Sequence, residues 1–414
     1  MTMSAEVEVP DTLRADLHEL YRHLHAHPEL SSVEHETAAL ITERMSGLGY
    51  DCTPCGGTGL IASLVNGSGP VVAFRADIDG LPLPEDTGLS YASVARGTLP
   101  DGSDVPVMHA CGHDTHITCA IGAATLLADD LDAWDGTVIF LFQPAEETAV
   151  GAQAMLDDGL WAKALPQGQL PEVVYSQHVW PGRTGTVEVT PGAAMAIADS
   201  WRVTVHGRGG HGSRPEGTID PIVLTAHMIV RIQSIVSREV AAQSAAVVTV
   251  ATVKGGLKEN IIPASAEFTV NIRNLDDSVR DAVLASLRRV ILAEAEASGA
   301  PEPTIEELYT FPLLTNDEDL TAEALEVIGA ELGSENVGTV PPSMGSEDFG
   351  HLPQAIGVPG VYWFFGGHPA ELLDSGAPVP FNHSPFFAPV LEPTLSTGVR
   401  AAYVMLRHRL QRPS

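Results

Sequence analysis

Two textures of hydrophobic and polar positions alternate along the chain. In the N-terminal third, apolar residues recur at helical spacing over Asp11–Ala26, Glu34–Leu48 and Thr115–Ala128. Short apolar runs at Leu60–Val65, Val71–Ala76, Thr137–Phe142 and Val173–Gln177 read as strands. Strands without polar alternation are buried on both faces, and helices between them imply an α/β sheet covered on both sides. Past residue 197 the strands Ser200–His206, Ala246–Val253 and Ala266–Ile272 alternate apolar with polar positions, which suits a sheet with one face in water. Two long amphipathic helices, Asp220–Val236 and Val279–Ala297, lie among them. Residues 309–414 return to the first texture, with a short apolar strand at Trp363–Phe365 and a closing helix over Thr394–Arg409. The pattern predicts an α/β domain split into 1–196 and 309–414, with an α+β domain inserted at 197–308. The Gly- and Pro-rich stretches Pro341–Gly345, Gly357–Gly360 and Gly366–Pro369 read as loops.

Composition narrows the function classes. A length of 414 residues agrees with more than one domain, and 44% hydrophobic against 18% charged residues is globular chemistry. Lys and Arg number 22 against 53 Asp and Glu, a net charge of −31. So acidic a chain lacks the basic surface that nucleic acid or anionic lipid requires. No apolar run approaches the ~18 residues of a membrane span. Met1–Pro10 is acidic and lacks the apolar core of a secretory signal, and four cysteines do not make a disulfide framework. The expectation is a reduced, cytoplasmic protein without nucleic-acid or membrane partners.

Chemistry-bearing residues gather in a few places. In Met108–His116 (MHACGHDTH), three His, a Cys and an Asp crowd one segment; on an extended chain Cys111 and His113 would share a face. Thiolate and imidazole are preferred ligands of zinc-like metals. The plainer reading is a polar loop before a helix capped by Asp114 or Thr115. Glu146 and Glu147 follow the strand Thr137–Phe142, at the carboxyl end where open α/β sheets bind ligands. Adjacent carboxylates point apart, so one can bind metal while the other moves a proton; a solvated acidic turn is the alternative. His178 ends the strand Val173–Gln177, and His383 lies in Phe381–Pro385 (FNHSP). Each His alone reads as an ordinary loop residue, but together the groups supply ligands for two metals and leave one carboxylate over.

These motifs, with His25–Leu30 (HAHPEL), Phe74–Pro82 (FRADIDGLP), Gly207–Pro215 (GRGGHGSRP), Gly255–Pro263 (GGLKENIIP) and Gly345–Phe349 (GSEDF), resemble the metal-dependent aminoacylase/carboxypeptidase-G amidohydrolases over nearly the whole chain. The nearest branch holds hippurate hydrolases, N-acyl-amino-acid amidohydrolases and auxin-conjugate hydrolases. The resemblance implies a zinc-peptidase-like α/β catalytic domain with an inserted ferredoxin-like lid and dimerisation domain. It implies that Cys111, His113, Glu147, His178 and His383 ligate two divalent ions, Zn, Mn, Ni or Co. Glu146 would be the general base that deprotonates water and then protonates the leaving amine. His211 would reach a partner subunit's site and donate to the oxyanion, and Asn260 and Arg273 would hold the substrate carboxylate. For Arg273 the alternative is a surface salt bridge with Asp276 and Asp277. Ser346 would line the pocket, and Asp77 and Asp114 would orient histidine ligands.

The function so implied is hydrolysis of N-acyl or N-aroyl amino acids by a homodimer. A deacetylase of an N-acetylated diamino acid, or a carboxypeptidase or dipeptidase, would use the same ligands. Two readings of other classes compete: a binding protein that has lost its chemistry, and a thiol oxidoreductase built on Cys52 and Cys55. Gly56–Gly59 follows that C-x-x-C, so a turn is expected there instead of the helix that redox use requires, and Cys119 reads as core.

Overall fold

The computed structural model describes residues 7–165 and 168–411. The chain divides into two compact units, a smaller one of Ala193–Leu314 with Pro342–Glu347 and a larger one holding the rest. The smaller unit thus begins and ends a few residues outside the 197–308 read from the sequence, and it takes in a short later segment as well.

The larger unit is built on an eight-stranded sheet. Its order is Asp51–Pro54, Leu60–Asn66, Gly136–Gln143, Val71–Asp77, Val174–Arg183, Gly360–His368, Val187–Val189, Val337–Thr339. The middle of the sheet is parallel: Val71–Asp77 pairs in parallel with both Gly136–Gln143 and Val174–Arg183, which pairs in parallel with Gly360–His368. Alternate residues of these strands (Val72, Phe74 and Ala76; Val138, Phe140 and Phe142; Val361, Trp363 and Phe365) enter one apolar core. The helices Asp11–Ala26, His113–Asp129 and Thr394–Arg409 supply its other side with Leu20, Leu24, Ile117, Ala120, Val399 and Leu406. Helical periodicity made these elements legible, and the first and last of them have the predicted bounds.

Two elements differ from the sequence reading. The strand expected to stop at Gln177 runs on to Arg183, which places His178 inside it. The run Gly366–Pro369 is no loop, because Gly360–His368 continues as a strand through both glycines. The reason is one close approach. A Cβ at Gly366 would lie 1.8 Å from the Arg183 carbonyl oxygen, so glycine lets two long parallel strands pair where Pro181 and Gly182 look like breakers. The C-x-x-C is split likewise: Cys52 lies on the edge strand Asp51–Pro54, and Cys55 is buried in the turn after it.

The smaller unit runs strand, helix, strand, strand, helix, strand: Ile197–His206, Pro221–Arg238, Ala246–Gly255, Ser265–Asn274, Asp277–Ala297, Thr304–Phe311. The sheet order is second, third, first, fourth, antiparallel throughout, which is the ferredoxin-like arrangement. Both helices start on an aspartate: Asp220 accepts from the amides of Ile222 and Val223, and Asp276 from that of Val279. Their apolar stripes, including Leu224, Met228, Ile232, Leu287 and Ile291, pack on Trp201, Val203, Phe268 and Val270.

Candidate metal centre

The site forms where two parallel strands end side by side, with Asp77 opposite Gln143. Beyond Gln143 the chain enters a tight loop in which Ala145 and Ala149 hold φ of 49° and 58°. A residue with a side chain pays of order 1–3 kcal/mol for such a backbone, so surrounding bonds have to hold it. Glu34 does so by accepting from the Ala145 amide at 2.9 Å, and Asp79 by accepting from the Glu147 amide at 3.1 Å. Glu146 and Glu147 are both nearly buried, and no solvated acidic turn forms.

Cys111 and His113 are presented by a different device than the extended segment the spacing suggested. Gly112 between them has φ of 87° and precedes the helix His113–Asp129, so the chain turns sharply at that point. A Cβ at Gly112 would stand 2.4 Å from Val179 Cγ1. No side chain caps this helix; Asp114 accepts from the neighbouring Thr115 amide instead.

The five residues expected as ligands converge in the larger unit. Cys111 Sγ is 3.4 Å from His178 Nε2, His113 Nε2 is 3.8 Å from Glu147 Oε1, and His383 Nε2 is 3.3 Å from Glu147 Oε2. The tautomer of His178 is set: its Nδ1–H donates to the Val179 carbonyl at 2.6 Å, which turns the Nε2 lone pair toward Cys111. His113 donates from Nδ1 to Asp79 at 3.2 Å, which leaves Nε2 to act. His383 holds φ of 66° on a loop, with its amide donating to the Ala110 carbonyl at 2.8 Å.

Electrostatics make this pocket a site for positive charge. Burial would lower the His113 pKa, but Asp77 and Asp79 outweigh it and raise it to about 10. Burial, with Glu147, Glu146 and Asp77, pushes the Cys111 thiol well up, so a thiolate here requires a cation beside it. Burial keeps His178 neutral, the form that ligates metal. His113 Nε2 and Glu147 Oε1 are buried without a hydrogen-bond partner among the described residues. Two facing orphans in a set of thiol, imidazoles and carboxylate fit a divalent ion of the zinc type. Ligand atoms of Cys111, His113 and Glu147 lie within 4.8 Å of one another, and so do those of Asp77, His113, His116 and His178.

The supporting residues are only partly those expected. Asp77 is ion-paired to the buried Arg75 at 2.7 Å and takes the Nδ1–H of His116, whose Nε2 accepts from the Val179 amide at 2.8 Å. His116 therefore has both nitrogens occupied. Asp114 faces His25 at 2.6 Å and touches no expected ligand. Asp79, the orienting partner of His113, escaped the sequence reading. Its signal was its position two residues after Asp77, just past the same strand end. His109 is buried with neither nitrogen bonded among the described residues, and burial lowers its pKa to about 4.

His211, Asn260 and Arg273 belong to the smaller unit. His211 and Gly210 pair with Ile261 and Ile262, and the Gly212 amide donates to the Asn260 carbonyl at 2.9 Å, so His211 and Asn260 share one ribbon. Ser213 bonds His211 Nδ1 through both amide and hydroxyl. Arg273 makes no ion pair with Asp276 or Asp277. Its guanidinium donates to Asn271 Oδ1, to the Met344 carbonyl at 2.6 Å and to Ser346 Oγ at 3.3 Å.

Comparison with known proteins identifies the family. The profile of peptidase family M20/M25/M40 matches residues 73–406. N-acetyl-L-cysteine deacetylase of Bacillus subtilis is 36% identical over 313 residues, covering 75% of this chain and 71% of that protein. Hippurate hydrolase of Campylobacter jejuni is 36% identical over 327 residues, 78% of this chain and 81% of that one. The crystal structure of a dinuclear-metal-binding M20 peptidase from Bacillus subtilis superposes with a TM-score of 0.74 at 29% identity, covering 97% of this chain and 99% of the other. Family and site converge: the chain belongs to peptidase family M20/M25/M40, hydrolases of amide bonds, and its buried cluster suits two metal ions.

Proposed function

We propose that this protein hydrolyses the amide bond of N-acyl or N-aroyl amino acids, as a cytoplasmic homodimer. The observation that carries the reading is the division between adjacent carboxylates: Glu147 is turned to His113 and His383, while Glu146 is buried beside it. Two relatives named for N-acyl amino acids, N-acetylcysteine and hippurate, support the substrate class.

Cys111, His113, Glu147, His178 and His383 would hold two divalent ions. Bound metal supplies Lewis acidity at the scissile carbonyl and makes water acidic enough to ionise near neutral pH. Glu146 takes the proton of the attacking water and delivers it to the departing nitrogen. His211 donates to the developing oxyanion, a contact worth ~3–4 kcal/mol where such donors have been removed. Arg273 and Asn260 hold the substrate carboxylate; among the described residues the guanidinium donates to an amide oxygen, a carbonyl and a hydroxyl and to no carboxylate.

The test is Glu146→Ala on metal-loaded protein. Turnover of benzoyl- and acetyl-amino acids should fall about a hundred- to ten-thousand-fold with two ions still bound. Near-wild-type turnover would reject the role. A panel of acetyl, benzoyl and peptide substrates decides the substrate class, and preference for a dipeptide would move the reading to a dipeptidase.

A further inference from the structure

The structure assigns to His25 a positioning role: it is a buried cationic link that ties the loop holding His383 to the helix that begins with His113. The role rests on the ligand assignment proposed above. His25 lies near the end of the helix Asp11–Ala26 and touches none of the five ligands, yet its side chain is completely buried between two carboxylates. Nδ1 faces Asp114 Oδ2 at 2.6 Å, and Nε2 faces Glu85 Oε1 at 3.0 Å. A carboxylate only accepts, so both contacts are hydrogen bonds only if both ring nitrogens carry hydrogen, which makes His25 an imidazolium. The rings of Tyr21 and Tyr91 pack around it, at 5.5 and 5.4 Å between centroids.

Each carboxylate leads to a different wall of the metal centre. Asp114 adjoins His113 in the first helical turn, and its other oxygen accepts from the Thr115 amide at 2.8 Å. Glu85 gathers the loop around itself, taking the Thr87 hydroxyl and, at 2.6 Å, the Ser93 amide. The next residue, Asp86, donates its amide to the Pro385 carbonyl at 2.8 Å, two residues from His383. His383 stands on no helix or strand, is largely exposed and has the unfavourable φ of 66°. Its place depends on such bonds: the one at Pro385, its own amide on Ala110, and the Asn382 side chain on the Cys111 and Val179 carbonyls at 3.0 and 3.2 Å. The link from Asp114 through His25 and Glu85 to Asp86 is the part of this support that joins the His383 loop to the histidine-bearing helix through buried charge.

The experiment is a Co(II) titration of metal-free protein, followed by visible absorption and by bound metal after dialysis. Wild type should take up two ions, and His383→Ala should weaken one of them; if it does not, the ligand assignment fails before His25 is tested. With that control in place, His25→Gln should weaken that same ion about ten- to a hundred-fold, the range typical of lost support around a metal ligand. The Cys111 thiolate–Co(II) charge-transfer band should persist. Glu85→Gln, which keeps the shape of its side chain, should do the same and keeps the proposal testable if His25→Gln fails to fold. The double variant should be no worse than the weaker single, because both break one link. Unchanged affinity for both ions in a folded Glu85→Gln protein, or equal loss of both ions, would overturn the role.

Discussion

At the residue scale the site shows how burial changes what a side chain can do. Cys111, Cys55 and Cys52 all have thiols pushed above their ordinary pKa, with burial as the main cause. Only Cys111 lies among imidazoles and carboxylates arranged to attract a cation, which would in turn stabilise its thiolate. Cys55 reaches about 11, and its Sγ donates to the Met155 carbonyl. Neither thiol of the C-x-x-C has the depressed pKa that thiol exchange requires. Replacing Cys52 and Cys55 together by Ser should leave turnover within about twofold, and both should alkylate slowly at pH 7.5 in native protein. Rapid labelling with loss of turnover would restore the oxidoreductase reading. The ligand residues were legible because unusual types cluster in short stretches. Asp79 and His25 were harder to see, since their roles rest on contacts with residues 34 and 89 positions away.

At the element scale the placement of the ligands depends on a few backbone conformations. Gly112 allows the Cys111 turn and the helix start to coincide, with no room for a Cβ against Val179. Gly112→Ala forces a left-handed conformation on a side chain, at a cost of about 1–2 kcal/mol before the clash. It should lower Tm by several degrees and weaken metal binding at least tenfold, as measured by calorimetry and metal analysis. Wild-type metal affinity in this variant would mean that the turn does not place Cys111. Helices were read well because a 3.6-residue period survives in the local sequence. The strand Val174–Arg183 runs six residues past the Gln177 end of its apolar run, because pairing with Gly360–His368 carries it through Pro181 and Gly182.

At the scale of the whole molecule, a net charge of −31 opposes compaction. Raising salt from about 10 to 150 mM shrinks the screening length from about 30 to about 8 Å, so Tm should rise by a few degrees in a salt series. A fall in Tm would mean that ion pairs such as Arg280–Asp199 and Arg44–Asp16 outweigh the repulsion. No helix among the described residues is long and apolar enough to cross a membrane. The sequence alone determined the fold class, the two kinds of sheet and the residue types of the centre, because periodicity and clustering are local properties of a chain. Only the tertiary structure decided which carboxylate serves which histidine. Asp79 rather than Asp114 accepts from His113 Nδ1, Asp77 is shared among Arg75, His116 and, at 3.6 Å, His113 Nε2, and Asp114 is turned to His25. Those choices are made by side chains from distant segments competing for the same buried hydrogen bonds, and no local pattern records the outcome.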